Sequence, residues 1–139
     1  MSVKVFNKLA LSDWIRSLKT TAVIALLLGG DRLYCCDEGV AVEIDGEIVA
    51  MATIAPHGED RSGQPTIVAV YVPPEFRGQG YSKPLMEAVV KRCEERGFSE
   101  VRVDVMSSYM MKTINSLPNE LRAVLDIHDL GALMDLIPG

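Results

Sequence analysis

The chain is 139 residues long, the size of one domain, and residues 1–139 are expected to form a single one. With 48% hydrophobic and 24% charged residues, the composition excludes a disordered or fibrous chain. Lys and Arg total 14 against 19 Asp and Glu, a net charge of −5, which excludes a surface built as a whole to hold nucleic acid but leaves room for a local phosphate site. An acidic surface of this kind leans toward a cationic substrate such as an amine.

The three cysteines, Cys35, Cys36 and Cys93, are odd in number, and two of them are adjacent. That pattern is a poor disulfide framework. With no CxxC, and with only His57 and His128 as further ligands, no metal site is expected. The N-terminal residues carry Lys4 and Lys8 but no apolar core or cleavage signal. The most apolar run, residues 22–28, is far shorter than the roughly 20 residues that span a bilayer. The expectation is a cytoplasmic protein with reduced thiols and no membrane segment.

In chain order, Ser12 before Asp13, Trp14, Ile15 and Leu18 reads as the N-cap of a helix that runs on to Gly29 and Gly30. Residues 40–54 read as a β-hairpin, because Asp45-Gly46 supplies the positive φ that a two-residue turn requires. Residues 55–65 form a polar loop. Residues 66–72, TIVAVYV, are almost continuously apolar, so a central strand covered on both faces is predicted. Residues 83–96 place Leu85, Met86, Val89, Val90 and Cys93 at helical spacing, and Gly97 follows as the C′ residue. In residues 99–105, Val101, Val103 and Val105 alternate with Arg102 and Asp104, as in a strand. Residues 107–116 suit a helix. After Pro118, Leu121, Val124, Leu125 and His128 fall on one helical stripe, and a strand over residues 123–127 is the alternative. The Leu- and Met-rich tail after Leu117 is expected to pack on the sheet or on a second copy, the latter giving a homodimer. Strands and helices in this order imply an α/β (α+β) layered fold.

The junction between the central strand and the following helix carries the chemistry. Residues 70–85 read VYVPPEFRGQGYSKPL, a glycine turn that opens a helix directly after a buried strand. The first turn of a helix has unpaired N–H groups and partial positive charge. Glycines let the backbone approach an anion closely. This is the physics of a phosphate cradle. The sequence fits neither a Walker A loop, which needs Gly-Lys-Ser/Thr, nor the Rossmann GxGxxG, since Ser82 and Lys83 stand where a third glycine would fall.

Arg77-Gly78-Gln79-Gly80-Tyr81-Ser82 resembles motif A of the GCN5-related N-acetyltransferases (GNAT), Gln/Arg-x-x-Gly-x-Gly/Ala, with Ser82 at the usual Gly or Ala. The resemblance covers roughly residues 40–105, about half of the chain. It implies a mixed central sheet in which two parallel strands, here 66–72 and 99–105, splay apart, flanked by helices. It implies a site for acetyl-CoA as cosubstrate and no metal. Arg77, Gly78, Gln79, Gly80, Tyr81 and Ser82 would hold the pyrophosphate. Val70, Tyr71 and Val72 would line the pantetheine arm, with Val70 and Val72 contacting it through main chain. Ser107, and Ser108 beside it, would flank the arm's far side. The implied reaction is direct acetyl transfer to a primary amine on a small molecule or a protein.

The acid and base are not marked by the resemblance. The family's Tyr would fall near Asn115, and Tyr109, the nearest phenol, comes about two helical turns earlier. The family's Gly-Phe is replaced by Leu117-Pro118-Asn119, so the C-terminal segment is atypical. Glu43, Glu47, Glu75 and Asp104 read as solvated carboxylates, and His57 as a solvent-facing loop side chain. Glu43, His57 and Tyr109 are nevertheless the catalytic candidates. Cys93 reads as packed, Cys35-Cys36 as a buried apolar pair and Trp14 as core or dimer surface. The alternative function is a catalytically weak or inactive CoA-binding sensor or interaction module on the same fold.

Overall fold

The structure is a computed structural model, and it describes residues 1–18, 35–58, 63–105 and 107–130. Six strands form one sheet in sequence order: β1 (Ser2–Asn7), β2 (Glu38–Ile44), β3 (Glu47–Ala55), β4 (Thr66–Tyr71), β5 (Val101–Val105) and β6 (Leu125–Asp129). The first four pair antiparallel, and β4–β5 and β5–β6 pair parallel. Among the described residues the helices are α1 (Lys8–Ser17), α2 (Ser82–Glu95), α3 (Ser108–Asn115) and the single turn α4 (Asn119–Arg122). This is the mixed sheet flanked by helices that the sequence implies. Among the described residues, no helix is long and apolar enough to cross a membrane.

The hairpin forms where expected. Asp45 and Gly46 take φ of 52° and 81° between β2 and β3, the left-handed pair that a type I′ turn needs. Successive residues of β2 then serve two cores. Val40 and Val42 face α2, while Ala41 faces α1. On the first side Leu85, Met86, Val89, Val90 and Cys93 of α2 are fully buried. On the second, Leu11 and Ile15 of α1 pack on Ala41 and Met51. Burial pushes the Cys93 thiol up to about 11, so it is a packed apolar group.

The far end of α2 is tied down by hydrogen bonds. The Gly97 N–H donates to the Glu94 carbonyl at 2.9 Å and the Phe98 N–H to the Cys93 carbonyl at 3.0 Å, the paired bonds of a Schellman cap. Arg92 grips Glu38 through Nε and Nη2 at 3.0 and 2.7 Å. Arg96 grips Asp37 through Nη1 and Nη2 at 2.9 and 2.7 Å. These two-pronged pairs hold α2 against the start of β2.

Several expectations are corrected. Residues 2–7 form an edge strand that the sequence reading passed over; Val3 and Val5 oppose Val42 and Val40. The first helix therefore begins at Lys8, not after Ser12: Asn7 caps it, its Oδ1 accepting the Ala10 N–H at 2.9 Å. The helix stops at Ser17, with Leu18 already extended, rather than running to Gly29 and Gly30, which lie outside the described residues. Strand β4 is not covered on both faces: Thr66 and Ile67 are buried, but the residues after them are half-buried. The helical stripe from Leu121 to His128 is replaced by the short α4 and then β6, so the strand alternative is the one observed. Parallel pairing with β5, from Val101 opposite Leu125 to Val105 opposite Asp129, satisfies the backbone of these residues at the edge of β5. Of the tail after Leu117, residues 118–130 pack on the sheet, β6 along β5 and Leu121 and Leu125 into the α2-side core; residues 131–139 lie outside the described residues.

Replacing Leu85 by Ala is expected to cost about 2–5 kcal/mol, because its site is sealed between α2 and the sheet and cannot collapse. Urea unfolding of the two proteins measures it; a loss below about 1 kcal/mol would place Leu85 outside the main core.

Candidate functional site

The two parallel strands β4 and β5 part company after two residue pairs. Thr66 stands opposite Arg102 and Ile67 opposite Val103, and no further pair forms. The cause is on the other side of β4. Thr53 opposes Ala69 while Ile54 opposes Ile67, which leaves Val68 unopposed as a β-bulge. A bulge bends its strand and changes which face the following residues point to. Thus Ile67 joins the α2-side core, Ala69 and Tyr71 turn to the α1 side, and Val70 and Val72 return to the α2 side.

A cleft of about 380 Å³ occupies this region, within the usual range for a ligand site. Val70, Tyr71 and Val72 form its strand wall. Phe76, Arg77, Gly78, Gly80, Tyr81 and Ser82 form its floor and end. Tyr109 and Met110 of α3 close the opposite side. Arg77 is the single charged side chain among these lining residues.

The turn before α2 is built to expose amides. Pro74–Phe76 forms one 3₁₀ turn, after which Gly78 and Gly80 take φ of +79° and +81°. A left-handed residue beside a right-handed one, here Gly80 before Tyr81 at φ −76° and ψ −17°, points successive N–H groups to the same side, as in an anion nest. Among the described residues, no protein acceptor receives the N–H of Gly78, Gln79, Gly80, Tyr81 or Ser82. Helix α2 has no side-chain cap at its N-terminus. A Cβ on Gly78 or Gly80 would meet nothing within 4 Å. Glycine is needed here for its backbone angle and not for want of room.

The predicted site residues fall into different roles. Arg77 Nε donates to the Val72 carbonyl at 2.9 Å, and its guanidinium lies 5.8 Å from the Tyr71 ring centre. It therefore folds the turn back on β4 and occupies the Val72 carbonyl. Burial holds the Tyr71 phenol above its ordinary range, outweighing the lowering by Arg77. Trp14 of α1 meets Tyr71 edge-on, with ring centres 6.2 Å apart. Gln79 is exposed and outside the lining; its Nε2 donates to the Glu75 carbonyl at 3.3 Å, and its Oε1 accepts from the Tyr81 hydroxyl at 3.3 Å. Ser107 also lies outside the lining: it caps α3, its Oγ accepting the Met110 N–H at 3.2 Å.

The catalytic candidates do not converge. Glu43 is not solvated as expected but 8% exposed, paired with Lys4 Nζ at 3.1 Å on β2. His57 is exposed at the turn after β3. Neither lines the cleft. Asp104 is held by Arg102 Nε at 3.0 Å. Tyr109 does line the cleft, and its hydroxyl lies 3.2 Å from Ser82 Oγ, at the amide-rich end. Ser82, the departure from the family's Gly or Ala, is 5% exposed and also 3.4 Å from Thr113 Oγ1. Its hydroxyl therefore links α2 to α3. Sequence reasoning missed Phe76 and Met110 as lining groups; the signal for Phe76 was its place next to the motif, and for Met110 its place beside Tyr109. Among the described residues no cluster of metal-ligating side chains occurs.

A polar group joins β6 to the loop before β4. Asp126 Oδ2 accepts from Gln64 Nε2 at 2.8 Å and lies 3.0 Å from His128 Nε2. These two bonds, His128 first, hold the Asp126 carboxyl below its usual 3.8. A lowered carboxyl stabilises the fold above its ordinary pKa and loses that contribution as pH falls through the lowered value. Carbon-13 titration should give Asp126 a midpoint under 3.8, moving upward in His128→Ala; a midpoint unmoved by that change removes His128 as the main cause. For the turn, Gly78→Ala and Gly80→Ala should each lower stability by about 1–2 kcal/mol without any clash, read by thermal unfolding. No loss would mean that the turn relaxes out of its left-handed angles.

Comparison with known proteins matches this geometry. The sequence model of the acetyltransferase (GNAT) family matches residues 7–115. An aminoglycoside N-acetyltransferase solved in complex with CoA superposes with a TM-score of 0.54 at 22% identity, over 84% of this chain and 90% of that one. A ribosomal-protein alanine N-acetyltransferase of Escherichia coli gives 0.53 at 15% identity, over 83% and 76% of the two chains. An aminoglycoside acetyltransferase from an uncultured soil metagenomic sample, in complex with trehalose, gives 0.52 at 19% identity, over 83% and 85%. At these identities the likeness is one of fold, while the family match spans most of the chain. The splayed strands, the glycine turn and the family match lead to one conclusion: the chain belongs to the GNAT family of N-acetyltransferases.

Proposed function

We propose that the protein transfers an acetyl group from acetyl-CoA to a primary amine by direct attack. The reading is carried by the run of unpartnered N–H groups from Gly78 to Ser82 at the end of an open-sided strand. A diphosphate fits there because these donors have no protein acceptor and Gly78, Gly80, Tyr81 and Ser82 line the cleft. Acetyl-CoA supplies the activated thioester. In this reading the amides of Gly78, Gly80, Tyr81 and Ser82 hold the pyrophosphate. The side of β4 left free by β5 offers main-chain groups at Val70 to the pantetheine amides, as an added strand would.

Transfer forms the amide C–N bond and breaks the thioester C–S bond, and CoA departs as thiolate. The attacking amine must be neutral. Removal of its proton is left to water, because neither Glu43 nor His57 lines the cleft. The names of the structural neighbours, which act on aminoglycosides and on a ribosomal protein, support an amine acceptor of either small-molecule or protein origin. The same lack of an acid–base pair in the cleft favours a second reading, a CoA-binding module without turnover.

Calorimetry with CoA, followed by thiol release from acetyl-CoA over a panel of aminoglycosides, polyamines and peptide N-termini, tests both. Micromolar CoA binding with turnover is the expected result. Gly80→Glu should abolish binding, and Arg77→Glu should weaken it roughly tenfold or more, by setting a carboxylate against the phosphates. Tight CoA binding without release across the panel selects the module. CoA affinity unaltered in both variants overturns the cradle.

A further inference from the structure

We propose that Tyr109 is a phosphate-holding residue, its hydroxyl donating to the pyrophosphate of acyl-CoA, and is not the acid that protonates the leaving thiolate. The inference rests on the cradle described under the proposed function and adds a donor that the glycine turn does not contain.

Three observations carry it. First, the Tyr109 hydroxyl lies 3.2 Å from Ser82 Oγ, and Ser82 is the first residue of α2, within the run of free N–H groups. The phenol is thus fixed at the anion-binding end of the cleft, whereas the β4–β5 pairing ends at Ile67 and Val103, on the far side of Val70 and Tyr71. Second, the location is built. Ser82 is 5% exposed and meets both Tyr109 and Thr113, and Thr113 Oγ1 donates to the Tyr109 carbonyl at 3.2 Å. Three hydroxyl side chains from two helices hold one another where the cleft ends. Third, Tyr109 is 58% exposed as a residue while its hydroxyl is engaged by Ser82 and its side chain lines the cleft, so the phenol is held in place yet open to a ligand. A phenol hydroxyl is one donor. It can serve Ser82 Oγ in the free protein and a phosphate oxygen in the complex, with the Ser82 hydroxyl accepting or donating to suit.

This also accounts for Ser82 at the position where the motif carries Gly or Ala. Its hydroxyl aims the phenol before the ligand arrives, so less side-chain freedom is lost on binding.

The test compares CoA with pantetheine, which lacks the pyrophosphate, on the full chain. In Tyr109→Phe, calorimetric Kd for CoA should rise roughly 5- to 20-fold, the worth of one hydrogen bond to a charged group, while Kd for pantetheine stays within about twofold. Steady-state kinetics should place the loss in KM for acetyl-CoA and keep the basic limb of the kcat pH profile. Ser82→Ala should weaken CoA binding in the same direction, and the double variant should be no weaker than Tyr109→Phe by more than about twofold, because the serine acts through the phenol. Equal CoA affinity in wild type and Tyr109→Phe overturns the inference and leaves the cradle standing. So does a fall in kcat with loss of the basic limb, which would make Tyr109 the acid. Wild-type protein that binds no CoA overturns the cradle and this inference together.

Discussion

The molecule turns on one unopposed residue. Val68 has no partner on β3, and β4 bends there away from β5. Had pairing continued, the parallel strands would have closed on each other, as β5 and β6 do along five residue pairs. The bulge leaves main-chain groups of β4 without a strand beside them and makes room for a cleft. It also exchanges the faces of the following residues, so that Tyr71 joins Trp14 on the α1 side. Such an opening costs hydrogen bonds, and the two buried cores on either side of β2 and β3 offset that cost.

The second constraint is electrostatic. The whole chain carries a charge of −5, yet the cleft is suited to an anion. Backbone dipoles resolve the conflict. The uncapped N-terminus of α2 and the two left-handed glycines concentrate partial positive charge in a few ångströms. Arg77, the one charged side chain in the lining, is drawn back onto the Val72 carbonyl and shapes the turn as well as contributing charge. An acidic exterior with a local dipole site suits the proposed function, which brings an anionic carrier and an amine acceptor together.

The third is the placement of α3. Capped by Ser107 and joined to α2 through Ser82, Tyr109 and Thr113, this helix supplies the wall that faces β4. Beyond it, α4 and β6 continue the parallel half of the sheet. The last described strand therefore braces β5, and β5 fixes one edge of the splay.

Local chemistry was legible in the sequence wherever it acts within a few residues. Asp45-Gly46 specified a hairpin because two left-handed angles leave few other connections. The spacing of Leu85, Met86, Val89, Val90 and Cys93 specified α2 because one helical face had to be buried. The glycine turn after an apolar strand specified a run of exposed amides at a helix start and, with it, the family. Tertiary structure alone decided the rest. Asn7 displaced Ser12 as the cap because residues 2–7 were drawn into pairing with β2, a partner more than thirty residues away. Residues 125–129 became a strand because β5 presented a free edge, which no local preference encodes. Glu43, polar and apt for solvent by type, is buried by its position under Lys4. The opening between β4 and β5 depends on a mismatch in register between β3 and β4, a relation between distant segments. Periodicity and turn chemistry are properties of neighbours along the chain, whereas caps, edges and register belong to whichever segments meet in space.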